Sequence, residues 1–522
     1  MPSEKEVNEN CGVAAVFLKK ELSCYPAGGA FYFLQKMLQQ LQHRGQLSSG
    51  ITIYNPQKPA LLQTHKGNGL VSEVFCMSDR EKAARLAIEF EGKAGIGHTR
   101  YATSGSSCGN ESQPFERVHT RLWKWFSFGF NGNIVNAKEI RKELEENSYH
   151  FRNHSDTEVM LHLLAHGLGS EYPTPIKNAF QHLSTKVDGA YNIVFLNAVG
   201  DLVLIRDPHG FKPLCYADTE DFFLAASEST ALIPFVGNNI HYLSPGELIH
   251  IQKNQKPETH SFAVEKKKTS HCMFEWVYFA AAGSLLENVG VYSTRYRLGV
   301  ELAKREKLPV NSEEFIVVNV PDTSKPAADG YAYTLHLPSK EGLLRNRYVG
   351  RTFIERNSWQ DKVRDKFTVN RDVLEGKKII LVEDSIVRGS TLKQLAKRLK
   401  EEGKALEVHA RISCPPVLSP CFYGIDMTTF GEFIASKQLQ ENREDGVEEF
   451  DHKKIEEIRK ELELDSLTYQ TWEGLLNSIQ IPKEKLCMAC LNGKYPTPSG
   501  KEMVKKAWEH YQNKKDGRSY EV

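Results

Sequence analysis

Neither sign of charge prevails in this chain. Sixty-seven Lys and Arg stand against 66 Asp and Glu over 522 residues. That balance gives no global electrostatic case for a nucleic-acid partner or a membrane surface. Long hydrophobic runs are missing too. The longest apolar stretch, near Val277–Leu286, is far shorter than the roughly 20 residues a spanning helix needs. The first ten residues are polar and charged, unlike a secretory signal. Cysteine is sparse: ten residues scattered over the whole chain argue against a disulfide scaffold. They point instead to a reducing, cytoplasmic compartment in which clustered cysteines act as ligands or nucleophiles. No internal repeat is present at solenoid periods.

What is there changes character halfway. Up to about residue 250, short apolar or alternating runs read as strands: Cys11–Phe17, Gly95–Thr99, Trp125–Phe130, Ala190–Leu196, Leu202–Arg206 and Phe222–Ala226. Two helices interrupt them, Phe31–His43 and Ser155–His166. Many strands with few helices predict stacked antiparallel sheets with helical layers. A polar stretch, Gln252–Ser270, has linker composition. Beyond it, continuous apolar strands at Phe315–Val320, Lys378–Val382 and Leu406–Ile412 and a helix at Thr391–Glu402 predict a parallel α/β sheet. Asn442–Leu464 reads as a charged helix with a solvated face, and Lys501–Val522 as a polar tail with scattered aromatics.

The sharpest motif runs from Ile379 to Thr391. A buried strand delivers Glu383 and Asp384 to its carboxyl edge, where ligands of open α/β sheets bind. The loop that follows holds Ser385, Val387, Arg388, Gly389, Ser390 and Thr391. It ends at a helix N-terminus, whose free N–H groups suit a phosphate. Adjacent carboxylates repel a phosphate but suit a vicinal diol and a hard cation. The combination reads as a ribose 5-phosphate site rather than an ordinary acidic helix cap. It is neither a Walker loop nor a dinucleotide fingerprint.

Cys11 opens a strand after the polar leader. Taken alone, a buried structural cysteine is the usual reading. If residues 1–10 are removed as a propeptide, the new α-amino group, with a pKa of about 8, sits beside the thiol and can serve as its base. Asn131 and Gly132 then offer a side-chain amide and an unobstructed backbone N–H as an oxyanion hole. Arg100 can fork onto the carboxylate of an amino-acid substrate, and Asp156 can take its ammonium. Read singly, these are a hairpin turn, a structural arginine and a helix cap.

Cys487 and Cys490 form a CxxC, with Cys272 and Cys421 as further candidates. The spacing alone leaves zinc, a redox pair and an iron–sulfur cluster open. Cys24, Cys76, Cys108, Cys215 and Cys414 read as structural.

The Ile379–Thr391 segment resembles the phosphoribosyl pyrophosphate (PRPP) motif of type I phosphoribosyltransferases. Together with Val320–Ser324, Arg345–Phe353 and Pro420–Asp426, and in the first half with Gln42–Gln46 and Arg206–Pro213, it is similar to the glutamine PRPP amidotransferase family, over about residues 11–496. The resemblance implies a four-layer αββα N-terminal nucleophile hydrolase domain at 11–255. It implies a type I phosphoribosyltransferase α/β domain at 256–480 and a segment with cluster cysteines at 481–522. By the same resemblance Cys11 forms a glutamyl thioester, and Arg44 joins Arg100 and Asp156 around glutamine. Thr323, Glu383 and Asp384 hold Mg²⁺, Arg345 meets the pyrophosphate, and Arg345–Phe353 gates the site. Cys272, Cys421, Cys487 and Cys490 hold a [4Fe–4S] cluster, purine nucleotides inhibit, and the assembly is a homotetramer. Four positions depart from the family pattern. Ala281-Ala282-Gly283 stands for Arg-Pro-Asp, Glu383-Asp384 for Asp-Asp, Arg345 for Lys and Lys212 for Arg. Two other readings follow from the residues: a divergent amidotransferase acting on another phosphorylated sugar, and a non-catalytic sensor of PRPP or nucleotides.

Overall fold

The computed structural model describes residues 11–101, 112–153, 155–169, 175–253, 255–346, 365–427, 429–436 and 451–513. The leader, Cys108, Arg347–Phe353 of the expected gate, residues 442–450 and the last nine residues lie outside them.

Period-two alternation builds the first domain. In Gly12–Leu18, Val13, Ala15 and Phe17 face one side, and Ala14, Val16 and Leu18 the other; all are buried. A strand buried on both faces needs cover on both. The strand lies in a seven-stranded antiparallel sheet between Phe222–Ala226 and Ala94–Arg100. One face packs on a six-stranded antiparallel sheet that contains Phe126–Ile134, Gly189–Asn197 and Leu202–Arg206. The other face packs on the helix Ala30–Gln40 through Phe31, Leu34, Met37 and Leu38. The helices Ala137–Glu146, Asp156–Gly167 and Ile176–Lys186 cover the second sheet. The result is the expected αββα sandwich, with more helices than the two read from sequence.

The second domain has a four-stranded parallel sheet, in the order Phe315–Asn319, Lys378–Glu383, Glu407–Ile412, Ser466–Tyr469. Ile379 and Leu381 pack on the helix Ser390–Glu401 through Leu392, Leu395 and Leu399. Ile380 and Val382 pack toward the helices Val291–Ala303 and Lys325–Leu335.

Two boundaries differ from the sequence expectation. The strand Glu258–Ser261 pairs with Glu247–Ile251, and Phe262 joins the first domain's core. The expected border at 255/256 therefore falls inside a hairpin, and the presumed linker is partly sheet. The polar tail is in part a helix, Pro498–Gln512. It buries Met503, Val504, Ala507 and Trp508 against Phe422, Phe430 and Tyr495, in a cluster shared with Val135, Ala190 and Phe211 of the first domain. The C-terminal segment thus cements the two domains.

Candidate active sites

Sheet register assembles the first centre. Gly12 lies opposite Thr99, which sets Cys11 beside Arg100 at the end of its strand. The Cys11 thiol donates to the carbonyl of Tyr101 at 3.5 Å. Burial pushes this thiol up; the Tyr101 hydrogen bond and the Arg100 charge oppose the shift, and the Asp156 carboxylate adds to it. A thiol held protonated needs a base beside it before it can attack. Asp156, the first residue of its helix, accepts from the N–H of Ile134 at 3.2 Å. Burial outweighs its hydrogen bonds and the Arg100 charge, and its carboxyl is pushed up to about 6.

Ile134 ends the strand that carries Asn131 and Gly132. Asn131 is buried, and its Nδ2 has no hydrogen-bond partner. Burying an amide donor without a partner is costly, so this one stands ready for an acceptor that arrives with the substrate. A side chain at Gly132 would collide with the Ala190 carbonyl, which explains the glycine. Cys11, Arg100 and Asp156 thus come within electrostatic reach of one another, and the strand that carries Asn131 and Gly132 meets them through the Ile134–Asp156 hydrogen bond. If Asn131 stabilises an oxyanion, Asn131→Ala will lower kcat for glutamine hydrolysis by about 10²–10³-fold. Steady-state glutaminase kinetics check this, and ammonia-dependent synthesis should be unchanged.

Arg44 is held differently from Arg100 and Asp156. It was expected at glutamine, but it is 1% exposed, and its guanidinium donates to Glu228 through Nε and to Glu275 Oε2 through Nη2 at 2.6 Å. Two buried carboxylates draw it into an ion cluster beneath the site, and they hold its pKa above the ordinary arginine value despite burial.

The second centre is a cavity of about 480 Å³ at the carboxyl edge of the parallel sheet. Thr323, Arg345, Glu383, Asp384, Ser385, Val387, Arg388, Gly389, Ser390 and Thr391 all line it. Gly389, at φ +81°, is the N-cap of the helix that begins at Ser390. That left-handed turn aims the first N–H groups of the helix into the cavity. Ser385 Oγ donates to Asp384 Oδ1 at 2.7 Å. Burial and the neighbouring carboxylate push Glu383 well up; burial pushes Asp384 up to about 6, against hydrogen bonds and the Arg295 charge. Arg345 Nη1 meets Asp322 Oδ2 at 2.9 Å across the mouth. The sequence reading missed Arg295, Lys366, His43 and Gln46, which also line the cavity. Arg295 had left a signal. With Leu298 and Leu302 it shares the buried face of its helix, and a cation there demands partners. His43 and Gln46 belong to the first domain, so the cavity reaches across the domain boundary.

The remaining cysteines converge. Cys272 pairs with Cys487 across a short parallel bridge. Each of Cys272, Cys421, Cys487 and Cys490 lies within electrostatic reach of the other three. Burial pushes all four thiols up, with Lys212 opposing the shift at Cys272, Cys421 and Cys487. Among the described residues no three or more His, Cys, Asp or Glu are gathered closely enough to hold a single ion. Four thiols gathered at wider spacing fit a multi-iron cluster, in which the cysteines bind different irons. Cys215 and Cys414 are buried in the core, as read.

A glutaminase fused to a phosphoribosyltransferase is the class these two centres define. One centre is built to open an amide, and the other to grip a sugar phosphate. A glutamine amidotransferase domain model matches residues 98–234. An amidophosphoribosyltransferase from Methanothermobacter thermautotrophicus is 38% identical over 506 residues, covering 95% of this chain and 97% of that one. A solved glutamine PRPP amidotransferase from B. subtilis, complexed with ADP and GMP, superposes with a TM-score of 0.78 at 33% identity, covering 94% of this chain and 98% of its own. A structure described as the allosteric regulatory enzyme of purine biosynthesis matches at TM-score 0.78 and 34% identity, covering 93% and 96%. The chain belongs to the amidophosphoribosyltransferase family and is a glutamine-dependent pentosyltransferase. No helix among the described residues is long and apolar enough to cross a membrane.

Proposed function

We propose that this chain carries out the first step of purine biosynthesis, with Cys11 as nucleophile, exposed by removal of residues 1–10. The cavity around Glu383 and Asp384 serves as the acceptor site. The observation that carries this reading is the pairing of the two centres: Asn131 Nδ2 buried without a partner on the strand that meets Asp156, itself in electrostatic reach of Cys11, and an acidic pair preceding a phosphate-binding loop. The α-amino group of Cys11 takes the thiol proton, and Sγ attacks the glutamine amide carbon. The oxyanion settles on Asn131 and the Gly132 N–H. Ammonia leaves, and water cleaves the thioester to glutamate. In the cavity the 5-phosphate sits on Ser385–Thr391, and Glu383 and Asp384 hold the ribose hydroxyls. The C1–O bond to pyrophosphate breaks, the C1–N bond forms with inversion, and a proton is lost, giving 5-phosphoribosylamine.

Buried carboxylates with raised pKa values are a hard-oxygen donor set, which suits Mg²⁺. With Thr323 they would hold the ion, and it would neutralise charge on the departing pyrophosphate. Cys272, Cys421, Cys487 and Cys490 would hold a [4Fe–4S] cluster as a structural tie between the strand pair and the C-terminal segment. Purine nucleotides, bound in the B. subtilis relative, are expected to inhibit, and a homotetramer in the cytoplasm is the expected state. Arg345 and the residues after it are proposed as the gate.

Incubation with PRPP and amide-labelled glutamine should place the label in 5-phosphoribosylamine. Label appearing only on another sugar phosphate would replace this reading with the divergent-acceptor one. Label appearing on no product would support a sensor.

A further inference from the structure

Glu228 is fully buried, yet it belongs to neither centre. Its carboxylate joins two segments that each touch the phosphoribosyl cavity. On the first-domain side it accepts from Arg44 Nε and pairs with His43 Nε2 at 2.7 Å. On the cavity-wall side it accepts from the N–H of Ala281 at 2.9 Å and from Ser284 Oγ at 2.6 Å. His43, Gln46, Ala281 and Ala282 all line the cavity. The wall segment is gripped from its other flank by Arg295, which donates to the carbonyls of Trp276, Tyr278 and Ala280.

The turn held by Glu228 continues directly into the Cys11 site. A side chain at Gly45 would come within 2.6 Å of the Arg100 backbone, so the turn is pressed against that strand end. The next residue but one, Leu47, donates its N–H to the Arg100 carbonyl at 3.0 Å. The carbonyl one residue on, at Tyr101, is the acceptor for the Cys11 thiol. An unbroken chain of hydrogen bonds and packed backbone thus runs from the cavity wall, through Glu228 and the 42–47 turn, to the nucleophile. Coupling needs such a contiguous element that both sites can bias.

We propose that Glu228 is a positioning residue that couples the two centres, transmitting occupancy of the cavity by PRPP to the alignment of Cys11. This rests on the functional reading above and adds to it the residue through which the sites communicate.

Glutamine hydrolysis should be measured with and without PRPP in the full-length wild type, Glu228→Gln and Ser284→Ala, alongside ammonia-dependent synthesis and thermal midpoints. Ser284→Ala removes one donor to Glu228 and leaves its charge and Arg44 in place, so it reports even if Glu228→Gln does not fold. The expected result is loss of PRPP stimulation by about tenfold in the folded variants, with PRPP-free hydrolysis and ammonia-dependent synthesis retained. Stimulation equal to wild type in Ser284→Ala overturns the proposal. So does a parallel loss of both activities, which marks a merely structural role. A wild type that hydrolyses glutamine but is not stimulated by PRPP also overturns it, without touching the acceptor chemistry. A wild type with no glutamine-dependent product overturns the functional reading itself.

Discussion

Replacing Cys11 with alanine should lower glutamine-dependent synthesis by at least about 10³-fold, because it removes the thiol proposed to form the acyl intermediate. Synthesis from ammonium salts at alkaline pH, where free ammonia is abundant, should stay within about twofold of wild type, since Cys11 does not line the acceptor cavity. The two centres stand on separate sheets with separate cores, so a missing thiol leaves the acceptor cavity built. The same assay gives an internal control. Asn131→Ala should follow the Cys11 pattern in milder form, because the oxyanion donor acts only on the amide. Loss of ammonia-dependent synthesis in Cys11→Ala would contradict the division of labour. Intact mass of active material should begin at Cys11. The thiol is pushed up by burial, and in the proposed mechanism the α-amine released with the leader is the base that answers this.

The two centres differed in how far the sequence revealed them. Strand, acidic pair, hydroxyl and glycine loop, and helix follow one another between Ile379 and Thr391, and every residue from Glu383 to Thr391 lines the cavity. Local order suffices there because a strand–loop–helix unit places its own ligands. The first centre is harder, since sheet register sets Cys11 beside Arg100, and a tertiary contact, Ile134 to Asp156, ties in the strand of Asn131. Each residue alone had an ordinary structural reading, and only the combination argued otherwise. Arg44 shows where this ends. Its partners lie 184 and 231 positions away, and no pattern near Arg44 announces two buried carboxylates. Glu228, in a Ser-Glu-Ser stretch that looks like a turn, was invisible for the same reason. The strand Glu258–Ser261 reads Glu-Thr-His-Ser and lies at a sheet edge, mostly exposed. It has no apolar side to betray it. The helix Pro498–Gln512 was legible and was missed: Met503, Val504, Ala507 and Trp508 form one helical stripe, read instead as scattered aromatics. At Ala281-Ala282-Gly283 the wall is held by backbone, with Ala281 donating its N–H to Glu228 and Ser284 closing the turn.

Asp384→Asn should abolish synthesis from both nitrogen sources, falling by about 10²–10³-fold, because the lost charge serves the acceptor and not the amide. It should also make the protein more stable near neutral pH. The argument is one of linkage. Burial holds Asp384 at about 6, well above the ordinary aspartate value of 3.8, with Glu383 raised beside it. A carboxyl whose folded pKa is raised binds its proton more tightly in the folded state. Its contribution is therefore favourable at low pH and is lost as pH climbs from about 4 through about 6. At neutral pH the ligand-free protein carries that cost almost in full, on the order of 3 kcal/mol. Asparagine removes it while keeping an oxygen to accept from Ser385. The thermal midpoint of Asp384→Asn should thus exceed wild type by a few degrees at pH 7.5, and the gap should narrow to about half at pH 5 and close below about pH 4. Added Mg²⁺ should raise the wild-type midpoint at pH 7.5 and leave the variant's almost unmoved, since an ion that binds only the folded state stabilises by mass action. A variant less stable than wild type at pH 7.5, or one that loses glutamine-dependent but not ammonia-dependent synthesis, would show that the acidic pair does not form the cation and diol grip. The sheet edge holds two carboxylates at a cost to stability because the chemistry there needs their charge.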